Sequence, residues 1–294
     1  MTRAIALDAA ERFLWLNARL IDRLRYLYLF KTGAAERVLQ TLRAYQNADG
    51  GFGHALEPDL RGPVSQPLSL DVALGILDEV GAGGDPMVHR ACDYLLTIAT
   101  EDGGVPFVLP SALEFPRAPW CQPGEGLPAS MVATGAIAGH LHKLGASHPW
   151  LDRASAHCWR RLEGGFEAKH AYELRGALTF LDHAPDRERA EAVFARIGPQ
   201  MFERKLVELD PQASGEVRGP LDFAPSPDAM ARKLFADDVV ASHLDALAAA
   251  QQEDGGWLVN WPIWTPATGL DWRGWATVDA LVRLRAYGRL PEPG

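Results

Sequence analysis

Two stretches of this chain run into the same signature: Leu42-Arg-Ala-Tyr-Gln46-Asn-Ala-Asp49-Gly50-Gly51-Phe52 and Leu247-Ala-Ala-Ala-Gln251-Gln-Glu-Asp254-Gly255-Gly256-Trp257. Weaker copies read Glu101-Asp102-Gly103-Gly104-Val105 and Leu162-Glu163-Gly164-Gly165-Phe166. The acidic residues before the Gly pairs stand at 49, 102, 163 and 254, so they are 53, 61 and 91 positions apart. A period of this size indicates one helix pair per repeat, each pair needing its neighbours to bury an apolar face. The last gap is long enough to hide one degenerate turn within 203–235. In each copy a helix runs into the Gly pair, which supplies the positive φ that ends it and turns the chain. The apolar residue that follows can then pack back on the helix.

Helical periodicity is clear on both sides of these turns. One set of helices is expected near 35–46, 87–99, 149–161, 187–202 and 236–251, as an outer layer. A second set is expected near 8–31, 67–81, 128–144, 167–183 and 271–288. Its members are rich in small and apolar residues, as in Ser130-Met-Val-Ala-Thr-Gly-Ala-Ile-Ala-Gly139, which suits close packing. Strand alternation is nearly absent, so the chain is read as all-α.

The segments QNADGGFG and QQEDGGW resemble the QxxDGGW repeat of the terpenoid cyclase and protein prenyltransferase superfamily. The resemblance implies an α/α toroid of five to six helix pairs, inner helices forming a barrel sheathed by outer ones, with 1–294 as a single domain. Helix 8–31 is then expected beside helix 271–288. In that family the repeat ties outer helices to inner ones, so Gln46, Asp49, Gln251 and Asp254 are read as structural.

Loop lengths locate the working end. Connections from inner to outer helix are short (32–34, 82–86, 145–148, 184–186), whereas those after the Gly pairs are long: 52–66, 105–127 and 257–270, with an irregular 203–227. Long loops without secondary structure usually carry function. Loop 52–66 offers His54, Glu57, Asp59 and Arg61; loop 105–127 adds Phe107, Glu114, Trp120 and Cys121. The last carries Trp257, Trp261 and Trp264, followed by Asp271, Trp272 and Trp275, while Asp222 sits in the irregular segment. Glu57, Asp59, His54 and Asp271 are the catalytic candidates. Arg61, Phe107, Trp120, Asp222, Trp257, Trp261, Trp264 and Trp272 are the substrate-binding ones. The sharpest expectation places Glu57 and Asp59 with Trp261, Trp264 and Trp272 around one cavity. There a carboxyl against indole faces is desolvated, holds its proton and serves as general acid. Plainer readings stand beside these: Asp271 as a helix N-cap, Glu57, Asp59 and Arg61 as a surface ion-pair network, the tryptophans as packing.

The resemblance implies carbocation chemistry on an isoprenoid or similar apolar substrate, with aromatic faces stabilising positive charge. The chain departs from the family's motifs, having no DxDD acid motif and no DDxxD, since Asp237-Asp238 is followed by Val-Val-Ala. The alternatives are a glycan-active lyase or hydrolase, in which aromatic platforms stack on sugars and paired carboxylates do the chemistry, or a non-catalytic toroid binding lipid or protein. No cofactor is expected, and no metal: the nine histidines form no HExxH, and the prenyltransferase zinc ligands have no counterpart in spacing or type. With 29 Lys+Arg against 38 Asp+Glu the net charge is -9, which argues against a nucleic-acid partner. No apolar run approaches the roughly 20 residues that span a bilayer. The N-terminal stretch lacks a signal-peptide h-region, and three cysteines without a CxxC pair suggest no disulfide framework. A cytoplasmic location is the resulting expectation.

Overall fold

A computed structural model describes residues 5–290. In chain order the helices are α1 (Leu7–Asn17), α2 (Leu20–Phe30), α3 (Ala35–Arg43), α4 (Pro67–Glu79), α5 (Pro86–Ile98), α6 (Met131–Lys143) and α7 (Pro149–Glu163). They continue with α8 (Ala171–His183), α9 (Arg187–Ile197), α10 (Gln200–Glu203), α11 (Pro220–Phe223), α12 (Asp237–Ala249) and α13 (Pro266–Ala286). Among the described residues there is no β-strand, only three isolated bridges, so the fold is all-α. No described helix is long and apolar enough to cross a membrane. The chain divides into two compact units, residues 42–204 and residues 5–41 with 205–290.

Within 42–204, α4, α6 and α8 pack side by side in one row, and α5, α7 and α9 form a second row against them. The first row is tight because glycines let backbones touch: a Cβ on Gly135 would lie 2.5 Å from the Gly176 carbonyl oxygen, and one on Gly139 2.3 Å from that of Thr179. That is the use of the small residues in 130–139. In the other unit α13 packs against both α1 and α2, as expected for the first and last inner helices.

The Gly pairs behave as turns in three of four copies. Asn47, Thr100 and Gln252 each accept from the N–H three residues on and donate to the oxygen four residues on, which closes a three-residue loop. The residue in the strained position is Gly50, Gly103 or Gly255, with φ of 91°, 93° and 95°. Each of these glycines lies against a carbonyl oxygen of another helix, that of Arg90 in α5, Arg153 in α7 and Ala9 in α1. The repeat glutamine completes the joint. Gln46 donates to Gly50 O and Met87 O, while Gln251 donates to Gly255 O and Ala6 O and accepts from Ala6 N–H. Gln200 makes the same amide fork to Phe166 O and Ala168 N–H without any Gly-pair signature of its own.

The fourth copy departs from this. In 163–166 the left-handed residue is the second glycine, Gly165 (φ 86°), and Gly164 is simply the cap of α7. Its acidic residue, Glu163, points away from the turn to Arg189. Three other expectations change. Helix 8–31 is broken at Ala18–Arg19 into α1 and α2, because Ala18 turns against Gly274 of α13, where a Cβ would come within 2.8 Å of it. Helix 271–288 begins five residues early, at Pro266, with Thr265 as its N-cap: Thr265 Oγ1 accepts from Thr268 N–H. Asp271 therefore sits inside the helix and caps nothing at its start. The segment 203–235 holds only short helical turns rather than another full pair.

Asp49 accepts from Gly51 N–H and Ser65 Oγ–H, and Asp254 accepts from Gly256 N–H and holds Arg273 through both oxygens. The Asp254 carboxylate is half exposed, so its ion pair adds little and the turn bond dominates. Asp254→Ala is therefore expected to cost about 1 kcal/mol, read as a melting temperature lower by about 2–4 °C.

Candidate functional site

The first long loop is shaped by strain and by its tie to the second. His54 and Ala55 both adopt positive φ, 58° and 60°, in a tight turn closed by Leu56 N–H donating to Gly53 O. Neither is glycine, so each stores of order 1 kcal/mol. Ala55→Gly is expected to stabilise the protein by about 0.5–1 kcal/mol, measured by denaturant unfolding. His54 itself is exposed and its Nε2 pairs with Asn47 Oδ1 at 2.9 Å. The plainer, structural reading of this histidine fits that geometry.

Glu57 and Asp59 are both buried. Asp59 faces the second loop: its Oδ2 accepts from the Trp120 indole N–H at 3.1 Å and its carbonyl from Ala118 N–H at 2.8 Å. Arg61 N–H donates to Pro116 O, and Gln66 holds Leu109 N–H and Ser111 Oγ. These bonds clamp 52–66 to 105–121. A small cleft between the loops is lined by Leu60, Arg61, Val64, Gln66 and Arg117. Cys121 is buried beside this pair of acids, and burial first, then Glu57 and Asp59, push its thiol well above the usual range. That thiol stays protonated and is a poor nucleophile. Trp120 remains 43% exposed, while Phe107 is half-buried.

The tryptophan-rich segment lies in the other unit. Trp257 is buried, with its indole N–H donating to Leu247 O and its backbone N–H to Thr277 Oγ1, so it anchors the repeat turn. Trp261 meets Trp272 edge-to-face at 5.0 Å, and Trp272 meets Trp275 likewise at 5.8 Å. The Arg218 guanidinium stands 5.2 Å over the Trp261 ring. Trp264 and Asp271 are half-buried nearby in sequence. Asp222 accepts from Gly219 N–H and pairs with Arg283, a helix-capping and anchoring role.

A third set of polar groups lies on the first row of helices. Asp71 on α4, His140 on α6 and Arg175 on α8 occupy the half-accessible stripes of the three helices of the first row. The stripes are continued by Gly75, Ala136 and Thr179. His140 Nε2 stands 3.7 Å from Asp71 Oδ1, too long for a hydrogen bond. Asp71 Oδ1 and His140 Nδ1 are both sealed from solvent and have no hydrogen-bond partner. Burial raises the Asp71 carboxyl above its usual range, opposed by the charges of His140 and Arg175. Gly75 lies beside the imidazole: a Cβ there would rest in ordinary contact with it, 3.9 Å from His140 Cε1 and 4.0 Å from Nε2. At the end of the same row His183 is held neutral, its pKa lowered to about 4 by burial and then by Lys143 and His140. Buried polar atoms without partners are rare in folded proteins and call for a reason.

No protein-family model and no curated protein matches the chain. Among solved structures it is similar to the crystal structure of a protein from Actinoplanes, with a TM-score of 0.60 and 18% identity, covering 96% of this chain and 99% of that one. At that identity the likeness concerns the fold.

Proposed function

We propose that this protein is an enzyme of the α/α-toroid type that carries out acid–base chemistry on a polar, glycan-type substrate, with Asp71 and His140 as the proton-handling pair and Arg175 as its anion-binding partner. The toroid half of the reading is supported by the repeat resemblance, by the two helical rows of 42–204 and by the docking of α13 on α1 and α2. The chemical half rests on one observation: Asp71 and His140 approach each other beside Gly75, which adds no side chain there, and each carries a buried polar atom without a partner. A raised carboxyl holds its proton to higher pH than an ordinary aspartate, and the imidazole beside it offers a proton acceptor. A separation of 3.7 Å suits a pair whose contact tightens when substrate binds beside it. A guanidinium on the next helix suits a carboxylate or developing oxyanion.

The carbocation reading that the repeat implies is supported by the Trp261, Trp272 and Trp275 cluster. Two features weigh against it. Arg218 already occupies the Trp261 face, where a second positive charge would be repelled. The stripes of α4, α6 and α8 set Asp71, Asp78, His140 and Arg175 among their small residues. The free, buried cysteines suit the expected cytoplasmic setting.

The test is a substrate panel: neutral and uronic oligosaccharides against isoprenoid diphosphates, read by mass spectrometry of products. Cleavage of an oligosaccharide with the diphosphates untouched is expected. Consumption of an isoprenoid with every sugar intact would overturn the glycan reading.

A further inference from the structure

We propose that His89, Asp93 and His148 form a binding site for one divalent transition-metal ion, bridging α5 and α7 away from the Asp71–His140 pair. His89 and Asp93 stand four residues apart on α5 and so share a face, and His148 is the N-cap residue of α7. Asp93 lies between the two imidazoles: Oδ2 is 3.8 Å from His89 Nε2 and Oδ1 is 3.2 Å from His148 Nε2. One ligating atom from each of the three residues can be chosen so that all lie within 4.8 Å of one another. A tetrahedral ion with bonds of about 2.0–2.1 Å has ligand–ligand edges of about 3.4 Å. Small rotations of two surface side chains therefore close the set. His89 and Asp93 are 71% and 57% exposed, which leaves room for both the movement and a solvent ligand.

The donor set fixes the class of ion. Two imidazoles and one carboxylate suit zinc, cobalt or nickel, whereas magnesium and calcium prefer all-oxygen sets. The protons also balance. His148 Nδ1 accepts from Trp150 N–H at 3.2 Å, so the neutral ring carries its proton on Nε2 and donates it to Asp93. On metal binding that proton moves to Nδ1, Nε2 takes the ion, and the Trp150 N–H loses its acceptor. The ion thus trades one long capping bond for three coordinate bonds that tie the start of α7 to α5.

The test is titration of the metal-stripped full chain with Co²⁺, followed by its visible absorption, with Zn²⁺ competing the signal away. One saturable equivalent is expected. His89→Ala and Asp93→Ala should each weaken uptake at least about tenfold; His89→Ala should leave the metal-free melting temperature unchanged, and Asp93→Ala should lower it slightly, because His148 Nε2 loses its acceptor. His243→Ala, a histidine outside the set, should leave affinity as it was. Zn²⁺ should raise the melting temperature of the wild type and not of the two variants. Uptake that is the same in His89→Ala and Asp93→Ala as in the wild type would overturn the site, as would no saturable uptake by about 1 mM, the range of non-specific binding.

Discussion

Gly255→Ala is expected to destabilise the protein by about 3–5 kcal/mol, whereas Gly215→Ala is expected to cost only about 1–2 kcal/mol. Both glycines have nearly the same backbone, φ of 95° and 92°. An alanine at either position bears the same left-handed penalty. The difference is in the surroundings: a Cβ on Gly255 would fall 2.1 Å from the carbonyl oxygen of Ala9, while nothing lies within 4 Å of one on Gly215. The obstacle at Gly255 is backbone in the first turn of α1, which cannot rotate aside. To make room the repeat turn must lift off α1, and the Gln251 fork to Ala6 goes with it. Chemical denaturation of the two variants measures the gap. Equal costs would mean that the repeat turn is a local feature and not the joint between helices.

His140→Gln and Asp71→Asn are expected to lower kcat/KM by about 10²–10⁴-fold with melting temperatures at or above that of the wild type. The pairing of these two effects is what separates a working pair from a structural one. Breaking a buried ion pair that holds a fold costs about 3–5 kcal/mol. Asp71 and His140 are too far apart to offset their burial, and each leaves an atom unsatisfied, so removing the charge relieves the fold. The sign follows from the raised carboxyl of Asp71. The folded state holds that proton more tightly than the unfolded chain, so wild-type stability falls as pH rises through the raised pKa. Asp71→Asn should therefore gain stability at neutral pH, and the gain should vanish below about pH 4, where the carboxyl is protonated in both states.

Much of the fold was legible because its joints demand one residue type. A positive φ against a neighbouring carbonyl admits only glycine, and the Asp-Gly-Gly strings mark three such places directly. The copy at 163–166 carries the letters without the turn, since Gly164 ends α7 and Gly165 takes the left-handed residue one position late. The start of α13 was written in Thr265-Pro266, an N-cap followed by proline, and was hidden by the tryptophans around it. The break between α1 and α2 has no local signal. Asn17-Ala-Arg19 is a passable helical sequence, and where the chain turns Ala18 packs closely on Gly274.

The candidate site was less legible for the same kind of reason. Reasoning from loop length led to 52–66 and 105–127, and the structure does bring Asp59 and Trp120 together. It also binds that acid to an indole N–H and a clamp of backbone bonds. Asp71, His140 and Arg175 lie in three separate helices with no shared motif, and neither spacing nor composition connects them. Only the glycine-tight packing of α6 on α8, with α4 alongside, makes them neighbours. A partial signal existed in the polar residues set among small ones on helices otherwise built for burial.

The most direct measurement is a crystal structure of the Asp71→Asn protein soaked with whichever oligosaccharide the wild type turns over. The expected result is a sugar oxygen within about 3.2 Å of His140 Nε2, with the ring lying over Gly75 and the substituted side chain at position 71 on the same sugar. A sugar bound elsewhere, with His140 and position 71 facing only solvent, would contradict the assignment.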